Sequence, residues 1–277
     1  MSDEGAHELP DLRIVELARV VPHEDFDERR IRALAERLGG EEVLKDPPIV
    51  APLGDGRFVV LDGANRTSAL KHLGYRDALV QVVDYDAVAL STWHHLVVGL
   101  SAQALAAGLS AIPGLATDDA TLPEATAMLK ANDAAAYVVY DGGATVTLSG
   151  GTDLVGRCEM LRSVVSVYNG RADIHRVRAV DLGAIEAHYD DVGGLVVFPA
   201  FTPADILSLV REGGVLPSGI SRHVIPGRAL RLHFSMAILA DEAPRDEKNR
   251  HLIEWIRRKR QANQIRAYDE PTVLYDE

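Results

Sequence analysis

The chain has 277 residues, 47% of them hydrophobic, with a formal net charge of −12, enough to bury a sizeable core in one large domain or two smaller ones. So acidic a chain is poorly matched to duplex DNA, which disfavours a sequence-specific DNA partner. The longest apolar stretches, such as 96–109, are broken by glycine and polar residues, so no membrane span is expected.

In chain order, a strand is predicted over 13–21 and a helix over 27–38, where Ile31, Leu34, Ala35 and Leu38 recur at helical spacing. Asp46-Pro47-Pro48 forces an extended entry into a strand over 49–51. Gly54-Asp55-Gly56 turns the chain into a strand over 58–61. A helix over 65–73 ends at Gly74, and a strand over 79–83 closes this first segment.

Beyond Asp86 the pattern reads as mainly helical. Helices are expected over 88–109, rich in alanine and leucine, and over 122–131, after Thr121 and Pro123. A hairpin pairs 136–140 with 145–148 across Asp141-Gly142-Gly143. Then follow an amphipathic helix over 152–168, strands over 174–180 and 195–198, and a helix over 203–212. A loop over 217–223, a strand over 228–234 and a helix over 245–261 complete the chain. There is no internal repeat, and a gradual boundary falls within 86–110. The expected division is 11–86 and 87–277.

The run Leu61-Asp62-Gly63-Ala64-Asn65-Arg66 carries the most chemistry. A glycine at a strand-to-helix turn lets backbone N–H groups approach an anion, and the helix dipole favours the same anion. Arg66 adds a guanidinium fork suited to phosphate, and Asp62 a carboxylate suited to a metal or a proton. The plainer alternative is a tight turn with Asp62 capping the helix and Arg66 in a surface ion pair. The basic stretch Arg257-Arg258-Lys259-Arg260 suits a helix C-terminus. His94 and His95, on adjacent positions of an expected helix, make a poor metal pair. Met1 to Pro10 is acidic and polar, unlike a signal peptide, and Cys158 is the lone cysteine, so a cytoplasmic setting is expected.

Taken in order, Pro22-His23-Glu24, Leu44-Lys45-Asp46-Pro47-Pro48-Ile49-Val50, Val60-Leu61-Asp62-Gly63-Ala64-Asn65-Arg66 and Val82-Val83-Asp84-Tyr85 resemble the ParB/sulfiredoxin fold. Within it the chain is most similar to the free serine kinases, archaeal enzymes and a bacterial branch linked to siderophore precursors. The likeness covers about the first third of the chain well. The rest matches the bacterial branch more loosely, through 216–223 and Tyr268-Asp269-Glu270-Pro271. The implied fold is α+β, with a ParB/sulfiredoxin-like nucleotide-binding domain over 11–86. A mixed helical and α/β portion over 87–277 would complete the substrate site.

The resemblance implies phosphoryl transfer from ATP or ADP, with Mg2+, to the hydroxyl of free L-serine or a similar hydroxy amino acid. It places Glu24 as the catalytic base and Asp62 as the aspartate needed for catalysis, which is also the candidate Mg2+ ligand. Gly63, Asn65, Arg66, Ser221, Arg222 and His223 would hold nucleotide phosphates, and His23 and Trp93 the amino acid. Two family histidines are replaced by Ala64 and Asn65, leaving an amide donor at Asn65. Sulfiredoxin itself is disfavoured, because its essential cysteine follows the glycine of this motif and residue 64 is alanine. The alternative from the same superfamily is a nucleotide- or DNA-responsive regulator without kinase activity. Glu24, the Arg222-His223 loop, the acidic charge and the lack of a clear helix-turn-helix favour the kinase. Arg66 and Arg222 are expected to clamp one phosphate in a cleft shared with Asp62 and Glu24.

Overall fold

The computed structural model describes residues 9–26, 28–180 and 189–268. Two compact units emerge, and neither is continuous in sequence. Among the described residues the first comprises 9–21, 28–87 and 225–268, and the second 22–26, 88–180 and 189–224. The units differ in composition from the expected 11–86 and 87–277: residues 225–268 lie in the first unit and 22–26 in the second.

The first unit is built on a five-stranded sheet in the order Asp11–Glu16, Asp77–Val82, Ile49–Pro52, Phe58–Asp62, Val20–Pro22. Ile49–Pro52 runs parallel to Asp77–Val82 and antiparallel to Phe58–Asp62. The glycines of the Gly54-Asp55-Gly56 turn take positive φ. The predicted strand over 13–21 is interrupted by a 3-10 turn, Leu17–Arg19. Helices Glu28–Gly39 and Ala64–His72 meet through Ala35, Leu38 and Ala69.

The returning C-terminal segment, 225–268, joins this unit through its core contacts. Phe234, Met236, Leu239 and Leu252 enter the same apolar core as Ile14, Val50, Val60 and Leu79. Asn249, on helix Arg245–Gln261, donates to Ile14 O at 2.8 Å and accepts from Ile14 N at 2.9 Å. Its side-chain amide thereby satisfies the backbone of the edge strand. Lys248 Nζ and Arg245 Nε reach the buried Asp77 carboxylate at 3.0 and 2.8 Å. The expected strand over 228–234 is not formed. Only Phe234–Ser235 is extended, paired with Val43–Leu44, because Arg231 and His233 both take the left-handed conformation.

The second unit holds a six-stranded sheet in the order Asp173–Val177, His94–Val98, Val192–Val197, Ala136–Tyr140, Thr145–Ser149, Ala116–Ala120, antiparallel throughout. Helices Ala102–Ser110, Leu122–Ala131, Leu154–Tyr168 and Pro203–Arg211 accompany it. Capping boxes at Thr121/Glu124 and Thr202/Asp205 start two of them. The expected helix over 88–109 is replaced by strands Ala89–Thr92 and His94–Val98, with helix only from Ala102–Ser110. Pairing of His94–Val98 on both edges overrides the helical propensity of the leucines, and Ser101 caps the helix that remains. The expected loop over 217–223 ends in a strand, Ser221–Val224, paired with Ala89–Thr92. Most of Met1 to Pro10 and the whole of Asp269-Glu270-Pro271 fall outside the described residues; Tyr268 is exposed.

Candidate active site

Strand Phe58–Asp62 delivers Asp62 to a turn at Gly63, from which helix Ala64–His72 starts. Gly63 has φ +86, and a Cβ there would lie 3.1 Å from both Pro48 Cα and Arg66 Nη1. Conformation and space both require glycine. The N-cap supplies no side-chain acceptor, and the first turn carries no acidic residue. Its N–H groups and the positive end of its dipole therefore face whatever anion approaches. Arg66 folds back over Gly63 and, among the described residues, has no ion-pair partner.

Asp62 does not cap this helix. Its Oδ2 instead accepts a hydrogen bond from Arg228 Nη1 at 2.8 Å, with 43% of the Asp62 side chain exposed. Arg228 is held by its backbone neighbours. Gln81, 2% exposed, donates to Gly227 O at 2.9 Å and accepts from Ala229 N at 2.8 Å. A buried strand glutamine thus fixes the loop on both sides of the arginine. Sequence reading missed both residues; the signal was a glutamine set within the apolar run Leu79-Val80-Gln81-Val82-Val83.

In the second unit, Glu24 is fixed by the segment 219–221. Its Oε1 accepts from Ser221 N at 2.8 Å and from Ser221 Oγ at 2.6 Å. Its Oε2 accepts from Gly219 N at 2.9 Å. An ionised carboxylate has about four acceptor sites, so these bonds leave one on Oε2. The backbone supports this placement: Leu216 N donates to His23 O and Asp25 N to Leu216 O, both at 2.8 Å. His23 Nε2 lies 2.7 Å from Ser221 Oγ, and the His23 ring meets His223 edge-on at 4.9 Å. Arg222 stacks its guanidinium 5.3 Å from the centre of the Trp93 ring. Trp93 N donates to Ile220 O at 2.8 Å, so the tryptophan is tied to the same segment.

Behind this cluster, His95 Nδ1 lies 3.0 Å from the Tyr168 hydroxyl and Nε2 lies 3.3 Å from Gly219 O. Burial pushes the His95 imidazole down to about 4, so it is neutral near pH 7. His94 is likewise pushed down to about 4 by burial. The two are strand neighbours rather than helix neighbours, and successive strand side chains point to opposite faces. They remain a poor metal pair for that reason.

The predicted residues thus gather as two sets. Asp62, Gly63, Asn65 and Arg66 belong to the first unit, and His23, Glu24, Trp93, Ser221, Arg222 and His223 to the second. Among the described residues no three His, Cys, Asp or Glu side chains converge as a metal cage. Mg2+ bound mainly through phosphates needs only one or two carboxylates. Asp62 fits that role, because Arg228 occupies Oδ2 and leaves Oδ1.

No family model matches the chain. It is 24% identical over 233 residues to the ATP-dependent L-serine kinase SbnI of Staphylococcus aureus, covering 83% of this chain and 85% of the relative. An ATP-dependent L-serine kinase of Desulfurococcus mucosus is 25% identical over 227 residues, covering 77% and 85%. An ADP-dependent L-serine kinase of Thermococcus kodakarensis is 22% identical over 223 residues, covering 78% and 88%. A solved free serine kinase in complex with AMP superposes with a TM-score of 0.72 at 21% identity, covering 84% of this chain and 95% of that one. The mixed α and β architecture is therefore the one found in free serine kinases. The chain is thus similar over most of its length to L-serine kinases and shares the fold of a free serine kinase.

Proposed function

We propose that this protein transfers the terminal phosphoryl group of ATP or ADP to the hydroxyl of free L-serine, releasing O-phosphoserine. The observation that carries this reading is the Glu24 carboxylate, held by three donors with one acceptor site left on Oε2. Phosphoryl transfer asks a protein chiefly for positioning, charge stabilisation and a proton acceptor. The serine hydroxyl proton passes to Glu24 as the new O–P bond forms. The bond from phosphorus to the bridging oxygen breaks, and its electron pair leaves with the nucleotide.

Gly63, Asn65 and Arg66 bind the phosphates through backbone N–H groups and the guanidinium fork. Ser221, Arg222 and His223 complete phosphate binding, and His23 and Trp93 contact the amino acid. When bound, Mg2+ neutralises phosphate charge, with Asp62 as its protein ligand. The first-pass segment 11–86 is read as the ParB/sulfiredoxin-like nucleotide-binding element and 87–277 as completing the substrate site. A cytoplasmic setting fits a reaction that consumes nucleotide.

Phosphorus NMR of purified protein with Mg2+, each nucleotide and a panel of hydroxy amino acids tests the reading. An O-phosphoserine resonance is expected. No phosphorylated product from any acceptor would overturn it.

A further inference from the structure

Gly219 touches two charged groups. Its amide donates to Glu24 Oε2 at 2.9 Å. A Cβ built on it would fall 2.4 Å from Arg176 Nη2 and 2.8 Å from Arg176 Cζ. The guanidinium therefore rests against the α-carbon of the residue whose N–H holds the carboxylate. Sheet register sets this placement: Arg176, on strand Asp173–Val177, stands opposite His95, and His95 Nε2 meets Gly219 O. Gly219 has φ +84, a backbone conformation that disfavours any side chain there.

Arg176 is exposed and, among the described residues, has no ion-pair partner. A guanidinium packed on a carboxylate-binding loop, with no carboxylate partner among the described residues, is a cation available to an outside anion. Every free amino acid carries one such anion. In serine only Cβ and Cα separate the hydroxyl oxygen from the carboxyl carbon. If the hydroxyl meets Glu24, the carboxylate must be met close by.

We propose that Arg176 binds the α-carboxylate of the amino-acid acceptor. The protein then selects a free amino acid over simple alcohols, amino alcohols and serine within a peptide, none of which presents that carboxylate beside the hydroxyl. The inference rests on the serine-kinase reading of the Glu24 site.

The test compares L-serine with L-serinamide as acceptors for the full chain, for Arg176→Gln and for Arg176→Lys. The unmodified protein should prefer L-serine. Arg176→Gln should raise the KM for L-serine about tenfold or more, the loss expected for a charge-assisted contact. It should leave kcat and the nucleotide KM nearly unchanged, which also shows an intact fold. Its preference for L-serine should shrink, with partial recovery in Arg176→Lys. Equal use of L-serinamide by the unmodified protein would overturn the inference. So would an unchanged L-serine KM in Arg176→Gln, or an effect falling on the nucleotide KM instead. Absence of L-serine phosphorylation by the unmodified protein would overturn the kinase reading and this inference together.

Discussion

Arg228 binds Asp62 through a 2.8 Å hydrogen bond although 166 positions separate them in sequence. Buried Gln81 secures the backbone on both sides of the arginine. If Asp62 serves the nucleotide and its metal, Arg228 orients that carboxylate and is itself a cation beside the phosphate turn. Arg228→Ala is expected to raise the nucleotide KM about tenfold, a typical loss for a charged hydrogen bond, with little change in the L-serine KM. Gln81→Leu leaves Gly227 O and Ala229 N without their partner and should destabilise the protein by about 1–3 kcal/mol. It should also reproduce part of the kinetic defect. Urea unfolding and steady-state kinetics read the two effects separately. Wild-type nucleotide KM in Arg228→Ala would reduce the arginine to a structural role.

Glu24→Gln separates proton acceptance from architecture. The amide is nearly the same shape but cannot take the serine proton, so turnover should fall by roughly 10²–10⁴-fold. One end of the glutamine can no longer accept, so a bond from Gly219 or Ser221 is also weakened. Nucleotide binding by isothermal titration should persist if Glu24 acts on serine alone. Near-normal turnover in this variant would remove Glu24 from the mechanism.

Acid should weaken the second unit through His94 and His95. Both are pushed down to about 4 by burial, below the unfolded value of about 6.5. Above about pH 6.5 neither state is protonated, and the neutral imidazoles carry no penalty. As pH falls from about 6.5 toward 4, the unfolded chain takes up protons first and stability drops. The loss for His95 is on the order of 3 kcal/mol when complete. Urea midpoints measured at several pH values across that window should fall more steeply for the native protein than for His95→Gln. Parallel slopes in the two proteins would show that His95 is not the group responsible.

Local signals were read well from sequence and distant ones poorly. Helices Leu122–Ala131 and Arg245–Gln261 match the predicted bounds, the first because Thr121, Pro123 and Glu124 define its start. Asp62-Gly63 was legible because the turn chemistry is contained in six residues. The stretch 88–109 misled because alanine and leucine favour helix until strands from 173–177 and 192–197 pair with it. The stretch 228–234 misled because Asp46 Oδ1 draws in Arg231 N and the backbone turns left-handed there. Arg228 and Arg176 could not be found by motif, since each gains its role from a contact made by a distant part of the chain. Arg66 lies in the first unit and Arg222 in the second, so a clamp by the two could not be read from either set of contacts alone. Non-additive losses in the double variant would support it.

The last prediction separates a kinase from a DNA-responsive regulator. The strongest cationic run, Arg257-Arg258-Lys259-Arg260, ends helix Arg245–Gln261, where positive charge complements the helix dipole. Lys259 is also drawn over the Trp255 ring, 5.5 Å from its centre. These cations therefore have a local structural use, and the chain around them carries a net charge of −12. Duplex binding through so short a run would be weak and would fade steeply with salt, because each phosphate contact releases counterions. L-serine phosphorylation is expected to persist in nuclease-treated protein and to be unaffected by added duplex. Charge-reversal at Arg257 and Arg258 should leave the L-serine KM unchanged. Tight, sequence-selective duplex binding at physiological salt, with no phosphorylated amino acid formed, would favour the regulator instead.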